Sequence, residues 1–135
     1  MTQAVDSSIA IAAILADHEA HDSAEEALSR STTTIAHVAA ETYSVLTRLP
    51  PPRRLDATEA AAIIDARFPS TWVALDADDH ASAPRRLAAA EVRGGATYDG
   101  LIALAAQDHH VELVSRDSRA ARTYRALGVR FQLLA

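Results

Sequence analysis

Apolar and polar positions change their spacing repeatedly along the chain, and this change predicts strands that alternate with helices. Short β-branched or apolar runs predict strands near residues 3–6, 32–36, 71–76, 111–115 and 129–134. Apolar positions three or four residues apart predict helices near residues 8–15, 18–30, 37–49, 56–67, 78–93, 98–109 and 117–128. Regular alternation of the two element types is typical of a parallel sheet covered on both faces, so we expect an α/β fold.

Proline, glycine and capping residues mark where several of these elements begin or end. The proline run at 50–52 ends the third helix, since proline lacks an amide donor and disfavours helix in the residue before it. The stretch "DATE" at 56–59 has the spacing of a capping box. Thr97 is expected to cap the sixth helix, and Gly128 to end the seventh. Pro84 is expected either in the first turn of the fifth helix or at a break that splits it.

Length and composition place the chain among globular proteins. Its 135 residues are 49% apolar and 23% charged, so we expect one compact domain over residues 1–135. There is no cysteine for a disulfide framework or a thiolate metal site, which fits a reducing compartment such as the cytoplasm. The longest apolar run, Ile9–Ala16, is far shorter than the ~18 residues of a membrane span. No basic region precedes it, so neither a signal peptide nor a membrane partner is expected.

Four acidic residues lie at related points of the predicted fold. Asp6 lies at the carboxyl end of the first strand, and Asp117 lies just past the fourth. Asp99 lies in the first turn of the helix that follows the glycine pair, and Glu41 lies near the start of the helix after the second strand. Open parallel α/β sheets bind ligands outside the carboxyl ends of their strands, so we expect all four acids to face one crevice.

A cluster of these acids would need a counter-charge. Two carboxylates ~5 Å apart repel by roughly 3 kcal/mol at an effective dielectric of about 20. Several such pairs would cost a large part of the ~5–15 kcal/mol that stabilises a small domain. Magnesium suits such a cluster, because it is a hard cation that selects oxygen ligands and commonly keeps several waters. The absence of cysteine and of an HExxH pattern makes zinc a poorer match.

Each acid also has an ordinary structural explanation. Asp6 and Asp117 have the positions of helix N-caps, and Asp99 is favoured by the helix macrodipole alone. The acids of "LDADD", after the third strand, resemble a metal loop but are expected to be a cap and a solvated turn. His18 and His21, three residues apart on a helix, are expected to be exposed polar residues rather than metal ligands.

The distribution of basic residues adds candidates for phosphate contact. The net charge of −5 argues mildly against a protein that coats nucleic acid passively. Every basic residue is arginine, whose planar guanidinium binds phosphate through paired donors. The segment 116–130 is rich in arginine, whereas residues 1–28 contain none. Composition bias with a solvated helix face is the alternative explanation for this segment.

Four stretches of the sequence resemble the signature blocks of PIN domains of the VapC toxin type. They are "VDSSIAIAAIL", "AAETYSVLTRLPPPRR", "GGATYDGLIALAA" and "LVSRDSRAARTYRALGV", and they follow one another in the family's order over nearly the whole chain. The first block has "VDSS" where "VDTS" is more usual, and serine preserves the hydroxyl. The resemblance implies a three-layer α/β/α sandwich with a central, mainly parallel sheet.

The same resemblance implies an activity. It implies a magnesium-dependent endoribonuclease, with manganese as an alternative ion, that is the toxin of a toxin–antitoxin pair and cleaves RNA with metal-activated water. The acids carried over by motif are Asp6, Glu41, Asp99 and Asp117. Asp6 and Asp99 would be the direct metal ligands, while Glu41 and Asp117 would complete the pocket, partly through water. A homodimer and an antitoxin whose tail blocks the pocket are also implied.

Contacts to RNA are expected around the acidic pocket. The candidates are Arg48, Arg53, Arg54, Ser115, Arg116 and Arg119. Ser115 stands where the family often has threonine or serine beside the last acid. The substrate is expected to be single-stranded or looped, because the narrow groove of A-form RNA hides its bases. Tyr98 is placed either to stack on a base or to pack at the start of its helix.

Two other classes of function stay open on the residues alone. A catalytically silent binding protein would use the acidic pocket to receive an arginine from another chain. A phosphoryl-transfer enzyme would use another doubly wound fold. A haloacid-dehalogenase-like phosphatase normally needs a second Asp two residues after the first, where this chain has Ser8. A receiver would need a lysine on a late strand, and this chain has no lysine.

Overall fold

The computed structural model describes residues 2–135, and over these residues five strands alternate with seven helices. The strands are β1 (Gln3–Val5), β2 (Thr34–Ile35), β3 (Trp72–Val73), β4 (Glu112–Ser115) and β5 (Phe131–Leu133). The helices are α1 (Ser7–Ile14), α2 (His21–Arg30), α3 (Ala36–Thr47), α4 (Ala57–Arg67), α5 (Ala77–Ala89), α6 (Ala96–Asp108) and α7 (Ser118–Leu127). None of the helices in this part of the chain is both long and apolar enough to cross a bilayer.

All strand pairs are parallel, which confirms the α/β prediction. β4 lies between β1 and β5 in one sheet, while β2 and β3 form a second, shorter ladder. The two ladders are linked beside β2, where Thr32 N donates to Gln3 O at 3.0 Å. Parallel strands point their carboxyl ends the same way, so the segments that follow β1, β2 and β4 open on one edge of the sheet.

The core lies between the strands and the helices that pack on them. Helices α1 and α2 contact β4 and β1, while α6 and α7 contact β4 and β5. α1 buries Ile9 and three alanines, and α6 buries almost every residue from Gly100 to Ala106. Many of these side chains are small, so the backbones of α1 and α6 can approach the sheet closely. This approach keeps the interior densely packed. The result is the three-layer α/β/α arrangement expected from the sequence.

Two expectations about helix boundaries are wrong. Pro84 lies inside α5, neither in its first turn nor at a break. The helix continues through this residue because proline removes a single backbone hydrogen bond, while buried Ala83 and Leu87 hold the following turn against the core. Gly95 rather than Thr97 is the N-cap of α6, and no side chain in the described part of the protein caps this helix end. The third strand is also shorter than expected, since only Trp72–Val73 pairs.

Gly128 gives a test of how α7 ends. It adopts a left-handed conformation with φ 75° and donates to Arg125 O at 3.1 Å. An alanine in this conformation brings its Cβ too close to the carbonyl, so Gly128→Ala should destabilise the protein by about 1–2 kcal/mol. Chemical denaturation measures the change. Gly95→Ala is the matched control, because Gly95 has φ −61° and a Cβ added there would meet no atom of residues 2–135 within 4 Å. Equal effects at both positions would contradict the argument.

Candidate active site

Helix N-caps fix two of the four acidic side chains at the sheet edge. Asp6 follows β1 and caps α1, where its Oδ1 accepts from Ser8 N at 3.0 Å. Asp117 follows β4 and caps α7, where its Oδ1 accepts from Arg119 N at 2.8 Å. Because β1 and β4 are adjacent and parallel, the two carboxylates lie at the same edge of the sheet. Asp6 and Asp117 are therefore helix N-caps, and they also lie at the edge where the four acids are predicted to meet.

Two helices bring the other acids toward this edge. Asp99 lies in the first turn of α6, and Glu41 lies in α3, where Ser7 Oγ donates to its carboxylate. Burial raises the pKa of Asp99 to about 6, and the charges of Glu41, Asp6 and Asp117 contribute to this rise in that order of importance. Asp99 therefore shares one electrostatic environment with all three of the other predicted acids.

Asp6 is the most deeply placed of the four, with 3% of its surface exposed. Burial raises its pKa, and hydroxyl donors from Ser115, Ser8 and Tyr124 partly offset this effect. Ser8 Oγ donates to Asp6 Oδ1 at 2.5 Å, and Tyr124 OH donates to Oδ2 at 2.9 Å. Donors on both oxygens orient the carboxylate and stabilise its charge in a place where water does not reach it.

A pair of serine hydroxyls joins the loop after β4 to the start of α1. Ser8 Oγ accepts from Arg116 N at 2.9 Å and lies 3.4 Å from Ser115 Oγ. Ser115 Oγ in turn accepts from Asp117 N at 3.1 Å. These contacts hold the two capping aspartates in a fixed relation across the strand pair β1 and β4.

The donor set fits a hard divalent cation. The four acids offer only oxygen ligands, and a cation would relieve the repulsion that raises the pKa of Asp99. Among residues 2–135, no three His, Cys, Asp or Glu side chains lie close enough together to surround an ion by themselves. Magnesium does not require such a cage, because it is commonly held by one or two carboxylates and keeps several waters.

The competing metal-site candidates have structural roles. Asp76 caps α5, where it accepts from Asp79 N at 2.8 Å. His18 Nδ1 accepts from Ala20 N at 3.0 Å, and His21 Nδ1 lies 3.1 Å from Ala12 O. The Asp76 cap is as expected from the sequence, whereas His18 and His21 are only partly exposed and have partners within the chain.

The residues predicted to contact RNA fall into four groups. Arg53 pairs with Asp17 at 2.6 Å, and Arg54 Nε donates to Leu49 O at 2.8 Å, so both guanidinium groups have partners within the chain. Arg48 and Arg119 are at least partly exposed. Arg116 is half-buried beside the pocket: its Nε has no hydrogen-bond partner among residues 2–135, and its Nη2 lies 3.9 Å from Glu19. Ser115 is fully buried, so its hydroxyl faces the protein interior rather than a ligand.

The sequence reasoning did not single out Tyr124. This side chain is fully buried and contacts an aspartate 118 positions earlier in the chain. The available signal was a lone aromatic residue among Ala120, Ala121 and Thr123 on the buried face of α7. That pattern indicates that Tyr124 lies in the core, but it does not indicate which residue its hydroxyl contacts.

Comparison with known proteins gives the class to which this arrangement belongs. Residues 4–126 match the family described as the PIN domain, and the chain belongs to this family. The resemblance noted in the four sequence blocks is therefore confirmed. The phosphoryl-transfer alternative required a different doubly wound fold, which this membership does not support.

The relatives are VapC proteins. The chain is 42% identical over 131 residues to "Ribonuclease VapC40" of Mycobacterium tuberculosis (strains CDC 1551 / Oshkosh and ATCC 25618 / H37Rv), over 97% of this chain and 98% of the relative. It is 43% identical over 127 residues to "Ribonuclease VapC27" of strain ATCC 25618 / H37Rv, over 93% and 92%. The crystal structure of M. tuberculosis VapC20, described as a Sarcin-Ricin loop cleaving toxin, matches with TM-score 0.65 and 23% identity over 87% of this chain and 92% of that one. That last likeness shows the shared fold.

Removing the Tyr124 hydroxyl tests its contact with Asp6. Tyr124→Phe keeps the ring and its edge contact with Phe131 at 5.9 Å between centroids. It leaves one oxygen of a buried carboxylate without its donor, which should lower the free energy of unfolding by about 1–3 kcal/mol. Tyr98→Phe removes a hydroxyl at an exposed position and should leave stability unchanged. If the two variants unfold at the same denaturant concentration, the hydroxyl does not stabilise Asp6.

The pKa of Asp99 predicts how the metal-free protein responds to pH. A folded-state pKa of about 6, above the ordinary value of 3.8, means that the folded state binds this proton more tightly than the unfolded state. Stability should therefore fall as pH rises from about 4 to about 6, and then level off as far as this group is concerned. Asp99→Asn should remove this part of the pH dependence and should be more stable than the parent at pH 7.

Thermal unfolding in a chelating buffer, at several pH values from 4 to 7, measures the effect. The difference in unfolding temperature between Asp99→Asn and the parent should grow through that range. A constant difference would show that the pKa of Asp99 is not raised in the folded protein.

Proposed function

We propose that the protein is a magnesium-dependent endoribonuclease, the toxin of a toxin–antitoxin pair, with manganese as an alternative ion. The observation that carries the proposal is the placement of the acids: Asp6 and Asp117 cap helices after adjacent parallel strands, and Glu41 and Asp99 lie in the helices α3 and α6. Membership of the PIN domain family and relatives named ribonucleases support it. Asp6, Glu41, Asp99 and Asp117 are the proposed catalytic residues.

The residues of this chain divide the work at the sheet edge. Asp6 and Asp99 would hold the ion, which when bound polarises a phosphoryl oxygen and makes water a better nucleophile. Ser8 and Tyr124 keep the Asp6 carboxylate in one orientation. Glu41, oriented by Ser7, and the capping residue Asp117 would position the attacking water and accept its proton.

The RNA is held by contacts to its phosphates. The net charge of the chain is negative, so local arginines and the bound cation must offset the repulsion between the acids and RNA. Arg116 is the foremost candidate, because it directly precedes Asp117 in the loop between β4 and α7 and its side chain is partly exposed. Arg48 and Arg119 offer guanidinium groups at the surface, whereas Arg53 and Arg54 would first have to leave their present partners.

The partners follow from the same proposal. A cognate antitoxin would bind over the acidic pocket, and the protein would act in the cytoplasm. A homodimer stays a prediction, motivated by Val45 and Leu49, which are only half-buried on α3 and just after it. Sedimentation at micromolar concentration checks it, and a species of 14.4 kDa alone would contradict it.

One observation favours a second candidate function. No three of the acids surround an ion by themselves in the described part of the chain, so a pocket that receives an arginine from another protein is a coherent alternative. The two candidates differ in one measurement. The silent binding protein forms a complex with its partner but shows no magnesium-stimulated cleavage of any RNA.

Substitution of Asp99 tests the proposed cleavage activity. Asp99→Asn keeps the shape of the side chain and removes its negative charge, so cleavage of RNA in magnesium should fall by about 100-fold or more, the size expected for a group that acts at the reacting centre. The assay follows cleavage of a cellular RNA pool, with mapping of the new ends. Asp56→Asn is the control, because Asp56 is an exposed N-cap of α4 and asparagine caps equally well. A folded Asp99→Asn variant that cleaves as fast as the parent would refute the assignment.

A further inference from the structure

A cavity of about 270 Å³ opens on the same sheet edge as the four acids. It lies where β2 and β3 end, between the segments that follow them and helix α6. Ile35, Leu75 and Leu101 supply apolar walls, and the imidazoles of His37 and His80 also line it. None of the catalytic residues proposed above lines this cavity, so it is separate from the acidic pocket.

A stacked pair of rings connects the cavity to the acidic pocket. His37 and Tyr98 lie with their ring centroids 5.9 Å apart and their planes within 3° of parallel. His37 is one helical turn before Glu41 in α3, and Tyr98 directly precedes Asp99 in α6. Two of the four acids therefore each have one ring of the pair as a near neighbour in their own helix. Tyr98 keeps 56% of its surface exposed, so the pair does not exist to fill the core.

The chemistry of the cavity indicates what would occupy it. Its lining contains no Arg, Asp or Glu side chain among the residues that the structure describes, so it suits neither a phosphate nor an ammonium group. Imidazole nitrogens donate or accept hydrogen bonds in the plane of the ring. The volume of about 270 Å³ is slightly below the about 300–1,000 Å³ of sites for drug-sized molecules. Apolar walls, in-plane polar atoms and a small volume together fit one flat heteroaromatic ring.

We propose that this cavity is a nucleobase-binding subsite for a nucleotide next to the bond that is cleaved at the acidic pocket. The stacked pair His37 and Tyr98 guides the base, and the imidazoles of His37 and His80 bond its polar edge. The position of the scissile bond rests on the proposed function, whereas the binding of a base by the cavity does not. The subsite would give the protein a preference for an unpaired base, since a paired base cannot enter.

Nucleotide binding tests the subsite without any need for cleavage. Adenosine, guanosine, cytidine and uridine 5′-monophosphates are titrated into the protein while the histidine ring signals are followed by NMR. At least one of the four should shift the signals of His37 and His80, because a base stacked nearby alters their magnetic environment. His18 and His110 are outside the cavity and serve as internal controls. Ribose 5-phosphate, which lacks a base, should leave all of these signals in place.

Three outcomes of this titration would overturn the proposal. The first is an equal response to ribose 5-phosphate, which would indicate phosphate binding. The second is no shift of His37 or His80 with any of the four nucleotides. The third is a shift of these two histidines that appears only when the cognate antitoxin is added, which would make the cavity a protein contact.

Variants connect the subsite to the reaction. His37→Ala and Tyr98→Ala should each lower kcat/KM on the mapped RNA by about 5- to 150-fold, which is the loss of ~1–3 kcal/mol of base stacking. His37→Phe and Tyr98→Phe keep flat rings and should recover most of the stacking part of that loss. Tyr43→Ala is the matched control, because Tyr43 is another surface tyrosine on a helix and does not line the cavity.

Substrates that lack one base separate recognition from a structural defect. On an RNA made abasic at the nucleotide that enters the cavity, the alanine variants should cleave as fast as the parent. An equal loss on intact RNA and on every abasic RNA would show a structural role for the rings and would overturn the proposal. If the parent protein cleaves no RNA at all, the proposed function fails, while the nucleotide titration still decides whether the cavity binds a base.

Discussion

The buried carboxylate of Asp6 is the constraint around which the site is arranged. A charge with 3% exposure is costly unless donors or a cation compensate it. Ser8 and Tyr124 supply donors to its two oxygens, and the backbone of α1 adds further donors through the cap. At Asp99, burial raises the pKa first, and the charges of Glu41, Asp6 and Asp117 raise it further. The chain thus carries in its folded state an electrostatic strain that a bound divalent cation would relieve, which links folding energetics directly to the proposed chemistry.

The same contacts serve the fold and the site. An aspartate that caps a helix immediately after a parallel strand is held by backbone donors at the ligand-binding edge of the sheet. Asp6 and Asp117 both have this arrangement, and β1 and β4 are neighbours, so both capping carboxylates lie at one edge of the sheet. If these aspartates are catalytic as proposed, each has a structural and a functional role at the same time. Substitution by asparagine preserves the cap and removes the charge, which makes it the informative change at these positions.

Much of the fold, and the place of the acids, could be predicted from the sequence. Spacing, capping motifs and strand–helix alternation give the helices of this α/β fold, and topology then places residues that follow parallel strands at one edge. The failures have physical reasons. Pro84 stays inside α5 because tertiary packing of Ala83 and Leu87 outweighs one lost hydrogen bond, which local propensity does not contain. The Tyr124 contact and the cavity beside His37 depend on side chains that meet from distant elements, and a single sequence does not reveal such meetings.

The distance along the chain between Asp6 and its tyrosine partner, 118 positions, has a consequence for synthesis. A nascent polypeptide that still lacks α7 has neither Tyr124 nor the helix that Asp117 caps. Asp6 would then have no hydroxyl on Oδ2, and Asp117 would have no helix to cap. The ribosome must therefore release α7 before the pocket can assemble. A truncated translation product would be harmless to its producer, if the intact protein is the toxin proposed above.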